Sequence, residues 1–314
     1  MDEAGAFVIC GEALIDLVPM QGGTDPTYRA ACGGSPYNVA IGLGRLGAAT
    51  HFLGRLSRDP NGERLAARLA ANGVALDLVA RGDAPQMLAY VFPPEPGRPD
   101  VGYAFYLDGT SGAAPEAADL AAPLPADLGV VHFGSFSAVL RRSGPAIRDF
   151  VRRSGVFASY DLNLRPTITP DRETARAAVA ECAAIAGIVK LSDADADWLF
   201  PGRGFDDLAE DYLRGGASLV AMTRGPDGAV LRTPSVRVSV PGAPTTVVDT
   251  VGAGDSFMAA LLWDLGRRRL LQAEPLAAAP EAALAAAATL ACRAAAIVCT
   301  RRGAEPPTAA ELGA

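Results

Sequence analysis

The sequence predicts an α/β fold: a mostly parallel central sheet covered by helices, with a small second sheet standing off it as a lid. Three observations lead there. Apolar runs of strand length alternate with amphipathic helical windows, the pattern of strand–helix–strand units. Two stretches, about 14 to 32 and about 86 to 108, break that alternation and read as strands joined by Pro- and Gly-rich turns with no helix between them. The 314 residues suffice for one large core, and no low-complexity linker or repeat divides them.

The first strand candidate is "FVICGEALIDLV" at 7–18, which runs into the first lid stretch. Ser35 followed by Pro36 opens a helix that Gly47 closes, and Asp59 followed by Pro60 opens the next, with Gly73 after it. Apolar strand-length runs then come at 129–136 ("GVVHFGSF"), 156–163 ("VFASYDLN"), 187–192 ("GIVKLS") and 218–224 ("SLVAMTR"). Several end in polar residues. Ligands of open α/β sheets sit outside the carboxyl ends of the strands, so Asp161, Asn163, Lys190, Ser192, Thr223 and Arg224 are expected to converge on one crevice. After a strand-like "TTVV" come Asp249, a Gly-Ala-Gly turn and the helix "DSFMAALLWDL", whose apolar residues at 257, 261, 262 and 265 form its buried stripe.

Composition narrows the function. The formal net charge is -7 and the longest basic run is "RRR" at 267–269, so neither a nucleic-acid nor an anionic-membrane footprint is expected. The five cysteines (Cys10, Cys32, Cys182, Cys292, Cys299) are scattered and odd in number, which argues against a disulfide framework or a zinc site and for a reducing compartment. The opening "MDEAGAFVIC" lacks the basic start and long apolar core of a signal peptide. The alanine-rich stretch 282–300, broken by Arg293, reads as too weakly apolar to span a bilayer. A cytoplasmic protein is expected. His51 and His132 have no partner at ligand spacing and are assigned no chemistry.

"GLGRLG", with Gly42, Gly44 and Gly47, satisfies GxGxxG and raises a nicotinamide-dependent oxidoreductase as a rival. A dinucleotide fingerprint needs a strand immediately before it and a helix immediately after. These glycines lie inside and at the end of a helix, where close packing and a left-handed terminus explain them better.

The chemistry concentrates at 249–255. Small residues at 252–254 let successive backbone N–H groups face one point beside the positive end of a helix, where an anion is favoured. The segment lacks the GK[ST] ending of a Walker A loop. Asp255 reads in two ways: a helix-cap or first-turn acid, or a base that accepts the proton of an attacking alcohol while the cradle holds a phosphoryl group.

"DTVGAGDSF" at 249–257 resembles the C-terminal signature of the ribokinase-like (PfkB) carbohydrate kinases, and "GGSPYNVAIGLGRLG" at 33–47 resembles their N-terminal one. The likeness continues in order through "GEALIDLVP", "FLGRLSRDPNGERL", "SYDLNLRP", "KLSD", "TRGPDGA" and "TRRGAEPPT", and is greatest to bacterial fructokinases. The resemblance implies a single ribokinase-like domain over 1–314, a three-layer α/β/α sandwich with lid strands inserted at about 14–35 and 86–108. It implies ATP and Mg2+ as cofactors, with a monovalent cation such as K+, and a homodimer through the lid. It assigns Asp255 as general base, Gly252, Ala253 and Gly254 as the anion hole, and Arg165 near the transferred phosphoryl group. A Trp that often follows this Arg in the family is replaced here by Thr169 or a neighbour. Asp16, Gly33, Gly34 and Asn38 would bind sugar hydroxyls, under lid residues Tyr103 and Phe105. Lys190, Thr223, Arg224, Gly225 and Gly228 would border the nucleotide, and the Mg-organising NxxE motif falls on Ser192 and Asp195, a departure at both positions. The monovalent cation would sit near Asp249 and the carbonyls of Val251, Val298, Arg301 and Gly303.

Related kinases of 2-keto-3-deoxygluconate carry a lid-strand Arg for the substrate carboxylate. Here the strand "VGYAFYLDGTS" has no cation, so a neutral hexose is preferred, with D-fructose phosphorylated at the 6-hydroxyl as the leading expectation. Ribose, nucleoside, aminoimidazole riboside and 2-keto-3-deoxygluconate kinases of the same fold are the alternatives. A sugar-binding regulator without chemistry is a third class, against which the intact 252–255 segment stands.

Overall fold

In the computed structural model, which describes residues 5–20, 27–92 and 102–313, two sheets organise the chain. The strands are β1 (Ala6–Cys10), β2 (Leu14–Met20), β3 (Thr27–Gly33), β4 (Thr50–Ser57), β5 (Val74–Ala75), β6 (Val79–Gly82), β7 (Leu88–Phe92), β8 (Gly102–Tyr106), β9 (Leu128–Gly134), β10 (Phe157–Asp161), β11 (Ile188–Ser192), β12 (Leu219–Thr223), β13 (Ala229–Arg232) and β14 (Arg237–Val240). The helices are α1 (Ser35–Arg45), α2 (Pro60–Ala71), α3 (Ser135–Val139), α4 (Gly144–Ser154), α5 (Arg172–Ala183), α6 (Asp193–Leu199), α7 (Phe205–Arg214), α8 (Ala253–Arg267), α9 (Ala273–Ala277), α10 (Glu281–Cys299) and α11 (Ala309–Leu312).

The large sheet runs β14-β13-β12-β11-β10-β9-β1-β4-β5, with β6 also on β4. It is parallel except for β13 and β14. β1 shows why its middle is uniformly apolar: Phe7 and Ile9 pack with α1 and α8, while Val8 and Cys10 face the layer of α4 and α5. A strand buried on both faces cannot alternate polar and apolar residues. The small sheet, β3-β2-β7-β8, is the expected lid. It is mixed: β2 and β7 pair in parallel, and the other two pairs are antiparallel.

Several expectations change. The run at 7–18 is two strands in two sheets, broken at Gly11, Glu12 and Ala13. β4 escaped notice because His51, Gly54 and Arg55 interrupt its apolar pattern, and the antiparallel pair β13–β14 was missed as well. "TTVV" forms no strand, and Val247 and Val248 are exposed. The turns expected at 21–26 and 93–101 lie outside the described residues. α10 is long and apolar enough to cross a membrane, contrary to the sequence reading; its alanines raise hydropathy. Those alanines serve packing, since Leu284, Ala287, Ala288 and Ala291 are buried in the core that α8 shares.

The GxGxxG glycines lie in and after α1, with no strand before them. A Cβ on Gly42 would come within 2.6 Å of Ala259 Cβ on α8, and one on Gly44 within 2.2 Å of the Asn72 carbonyl. Gly47 has φ +83°. Each is explained by packing or by the helix terminus, as expected, which removes the basis for a dinucleotide turn.

Candidate active site

The segment before α8 forms the candidate anion cradle. Gly252 sits in the left-handed region at φ 79°, and a Cβ there would fall 2.6 Å from Ala304 Cβ. Only glycine fits. The Ala253 N–H bonds to Thr250 and the Ser256 N–H to Gly252, while those of Gly254 and Asp255 lie ahead of any helix carbonyl that could accept them. No side chain caps this helix end.

Asp255 is therefore not a cap for its own helix. It is 6% exposed, and its carboxylate reaches across to α1: Ser35 Oγ donates to Oδ1 at 2.7 Å and Asn38 Nδ2 to Oδ2 at 2.8 Å. Burial raises its pKa, an effect that these two hydrogen bonds, Lys190 and Arg165 oppose. Ser35 starts α1, as the sequence predicts, and its hydroxyl goes to this carboxylate rather than to a cap.

The cleft over Asp255 has a volume of about 280 Å³ and is lined by Asp16, Gly34, Asn38, Tyr103, Phe105, Asn163, Arg165 and the 250–255 segment, among others. The lid supplies its roof. Asp16, on β2, lies against Gly33, where a Cβ would be 2.2 Å from Asp16 Oδ2. Burial pushes the Asp16 carboxyl up to about 7; Asp249 and Asp255 add repulsion, and Arg165 and Arg29 oppose it. Tyr103 and Phe105 stack with centroids 5.6 Å apart, and Phe105 leans on Phe136 of α3 at 5.9 Å. Arg29 on β3 is a lid cation that the sequence reading did not weigh; its charge is felt at Asp16.

Arg165 reaches the cleft from the loop after β10. Its Nη1 donates to Asn163 Oδ1 at 2.6 Å and to the Leu164 carbonyl, and Asn163 takes φ 35°. Asp195 fixes this loop by accepting the Leu164 N–H at 2.8 Å, while its other oxygen takes the N–H and hydroxyl of Ser192. Ser192 and Asp195 thus form the capping box of α6. Lys190 is 3% exposed and holds both oxygens of Asp161 at 2.9 and 2.7 Å, so its ammonium is already paired; it lies 3.3 Å from where a Cβ on Gly254 would be. It supports the cradle from below and does not line the cleft.

Thr223, Arg224, Gly225 and Gly228 share the β12–β13 turn, closed by the Arg224 N–H on the Gly228 carbonyl, away from the cleft lining. Asp249 accepts the Val251 N–H at 3.0 Å and the Gly303 N–H at 2.8 Å, which gathers three members of the expected cation set. The Val298 carbonyl accepts the Arg301 N–H at the end of α10, and the Arg301 guanidinium is tied to the Glu305 carbonyl and the Glu311 carboxylate. Among the described residues, three carboxylates, Asp16, Asp249 and Asp255, stand with two guanidinium groups that have no ion-pair partner, Arg165 and Arg29, so a polyphosphate would need to bring its own counter-cation.

Sequence reasoning missed Ser35 as a partner of Asp255, and Glu12 and Ser135 as cleft residues. Ser135 carried a signal visible only in three dimensions, a positive φ of 56° on a non-glycine residue. His51 pairs with Asp77, and His132 is buried against Ser159, its pKa lowered to about 3 by burial; neither lines the cleft.

A family model described as pfkB family carbohydrate kinase matches residues 6–310. A fructokinase of Rhizobium leguminosarum bv. trifolii is 37% identical over 281 residues, 88% of this chain and 85% of the relative. Among solved structures, fructokinase with bound ATP from Xylella fastidiosa superposes with a TM-score of 0.87 at 24% identity, over 99% of this chain and 97% of that one. A fructokinase double mutant from Vibrio cholerae O395, in a fructose-, ADP- and potassium-bound form, gives 0.85 at 23% identity over 100% and 98%.

Proposed function

Because this chain belongs to the pfkB family of carbohydrate kinases, we propose that it transfers the γ-phosphoryl group of ATP to the 6-hydroxyl of D-fructose, with Asp255 as general base. One observation carries the reading: a buried carboxylate that caps nothing on its own helix, held by Ser35 and Asn38 and open to a cleft at whose floor the α8 N–H groups converge. Asp255 accepts the hydroxyl proton while the N–H groups of the cradle take up the charge on the phosphoryl oxygens. Arg165 adds a guanidinium on the same side. Asp16 and Asn38 supply hydrogen bonds to sugar hydroxyls, and the Tyr103–Phe105 stack closes the site from above, excluding water.

The carboxylate excess suits a nucleotide that arrives with Mg2+, which neutralises phosphate charge when bound. A K+ ion would sit beside Asp249, whose carboxylate the Val251 and Gly303 N–H groups orient, in keeping with the potassium-bound relative. Fructose is favoured by the Rhizobium relative and by the absence of a cation on β8. A cytoplasmic location belongs to the same reading, supported by five free cysteines. So does a homodimer through the lid, whose outer face carries Tyr28, Tyr90 and Tyr106 in edge contact, Tyr106 being 61% exposed.

The test is ADP production with fructose, tagatose, ribose, adenosine and 2-keto-3-deoxygluconate. Fructose is expected to give the highest kcat/KM, and Asp255→Asn to lower kcat by about 10²–10⁴ while sugar and ATP still bind. Absence of turnover with every acceptor, or near-normal turnover in Asp255→Asn, would sink the reading.

A further inference from the structure

We propose that Glu12 is a positioning residue that ties the root of the lid to the general base, holding the N-terminus of α1 and, through Ser35, the orientation of Asp255. The inference rests on the kinase reading above and deepens it. Glu12 is the middle residue of the Gly11–Ala13 link, where the chain leaves β1 of the large sheet and enters β2 of the lid. Any swing of the lid on this side must pass through that link.

The carboxyl is fully buried, at 0% exposure, and lies at the floor of the cleft. Its Oε1 accepts the Ser35 N–H at 3.3 Å, and Ser35 Oγ donates to Asp255 Oδ1 at 2.7 Å. Ser35 is thus held on one side by the lid link and on the other holds the base. The backbone is shaped for this approach. A Cβ on Gly34, at φ 109°, would stand 2.7 Å from the Glu12 carbonyl, and one on Gly11 2.4 Å from Pro36 Cγ. Glycine at both positions lets the link press against the first turn of α1.

Among the described residues Oε2 makes no hydrogen bond of ordinary geometry, although the hydroxyls of Ser135 and Ser137 lie close enough to the carboxyl to favour its charged form. Ser137 gives its proton to the Gly134 carbonyl instead. Burial pushes the Glu12 carboxyl up to about 7. An apolar side chain of the same volume would bury at lower cost, so stability alone does not explain a carboxyl with one oxygen unpaired.

The experiment is a double-mutant cycle on sugar-dependent ADP production, with ATP affinity measured separately. Glu12→Ala and Ser35→Ala are each expected to lower kcat by about tenfold to a hundredfold with ATP affinity retained, because loss of positioning affects the reacting geometry. The double variant should lose no more than the worse single, since both break one link. Glu12→Gln, which keeps an acceptor for the Ser35 N–H, should recover kcat relative to Glu12→Ala. If Glu12→Ala fails to fold, Glu12→Asp takes its place in the cycle, its reach one methylene too short. Multiplicative losses, unchanged kcat in Glu12→Ala or Glu12→Asp, or Glu12→Gln as impaired as Glu12→Ala would overturn the proposal. Wild-type protein without sugar-dependent turnover would instead overturn the kinase reading.

Discussion

Asp16 shows how burial sets behaviour at the scale of one residue. Its carboxyl titrates near 7 because the lid holds it out of water between Asp249 and Asp255, with Arg165 and Arg29 only partly compensating. The folded state raises this acid above its unfolded value, so between about 4 and about 7 the folded chain holds a proton that the unfolded chain has released. This group's contribution to stability therefore falls as pH rises through that window, the reverse of a salt-bridged aspartate. On the proposed role of Asp16, sugar binding runs the other way, because the carboxylate is the stronger acceptor from sugar hydroxyls. The expected result is a sugar KM that rises as pH drops from about 8 to about 6, flattened in Asp16→Asn, alongside a melting temperature that depends less on pH in that variant. An unaltered KM profile in Asp16→Asn would assign the titration elsewhere. Asp255 and the 252–254 turn were legible in sequence as a helix start because their spacing is local, while their roles came from the family resemblance. The partners of Asp255 were not, since Ser35 and Asn38 lie 220 and 217 residues away.

At the scale of elements, the site is the crossing of two helices. α1 brings Ser35 and Asn38, α8 brings the cradle and Asp255, and Gly42 lets them approach, with Ala259 Cβ only 2.6 Å from where its own Cβ would be. Gly42→Ala should therefore push α1 off α8, destabilise the fold by about 1–3 kcal/mol and lower kcat although it touches no ligand. A variant with normal melting temperature and kcat would show that the crossing tolerates the methyl. Gly252→Ala should be more damaging at the cradle, combining a strained left-handed φ with the Ala304 clash. Elements with strong punctuation, such as α1 and α2, were legible at their starts; Asp59 caps α2 through the Gly62 N–H as its position suggested. β4 and the β1–β2 break were not, because a strand's neighbours, not its own pattern, decide which sheet it joins.

At the scale of the whole molecule, the lid covers the site on its inner face and carries exposed aromatics on its outer one. If that face pairs two copies, sedimentation of the wild-type protein should give a dimer that Tyr106→Lys with Tyr28→Lys converts to a monomer; a wild-type monomer at micromolar concentration would exclude it. The α/β class with its alternating strands and helices, the detached lid stretches, and the Gly-Ala-Gly turn followed by its acid were determined by the sequence alone, through periodicity, turn chemistry and contiguous motifs. The tertiary structure decided how each of the charged groups is held. It set Asp255 against α1, took Lys190 into a buried pair with Asp161, made Ser192 and Asp195 a support for the Arg165 loop, and left Glu12 with one oxygen unpaired beneath the cleft. Those outcomes depend on distances between residues far apart in the chain. Only packing fixes such distances, and with them which charges are neutralised and which remain for chemistry.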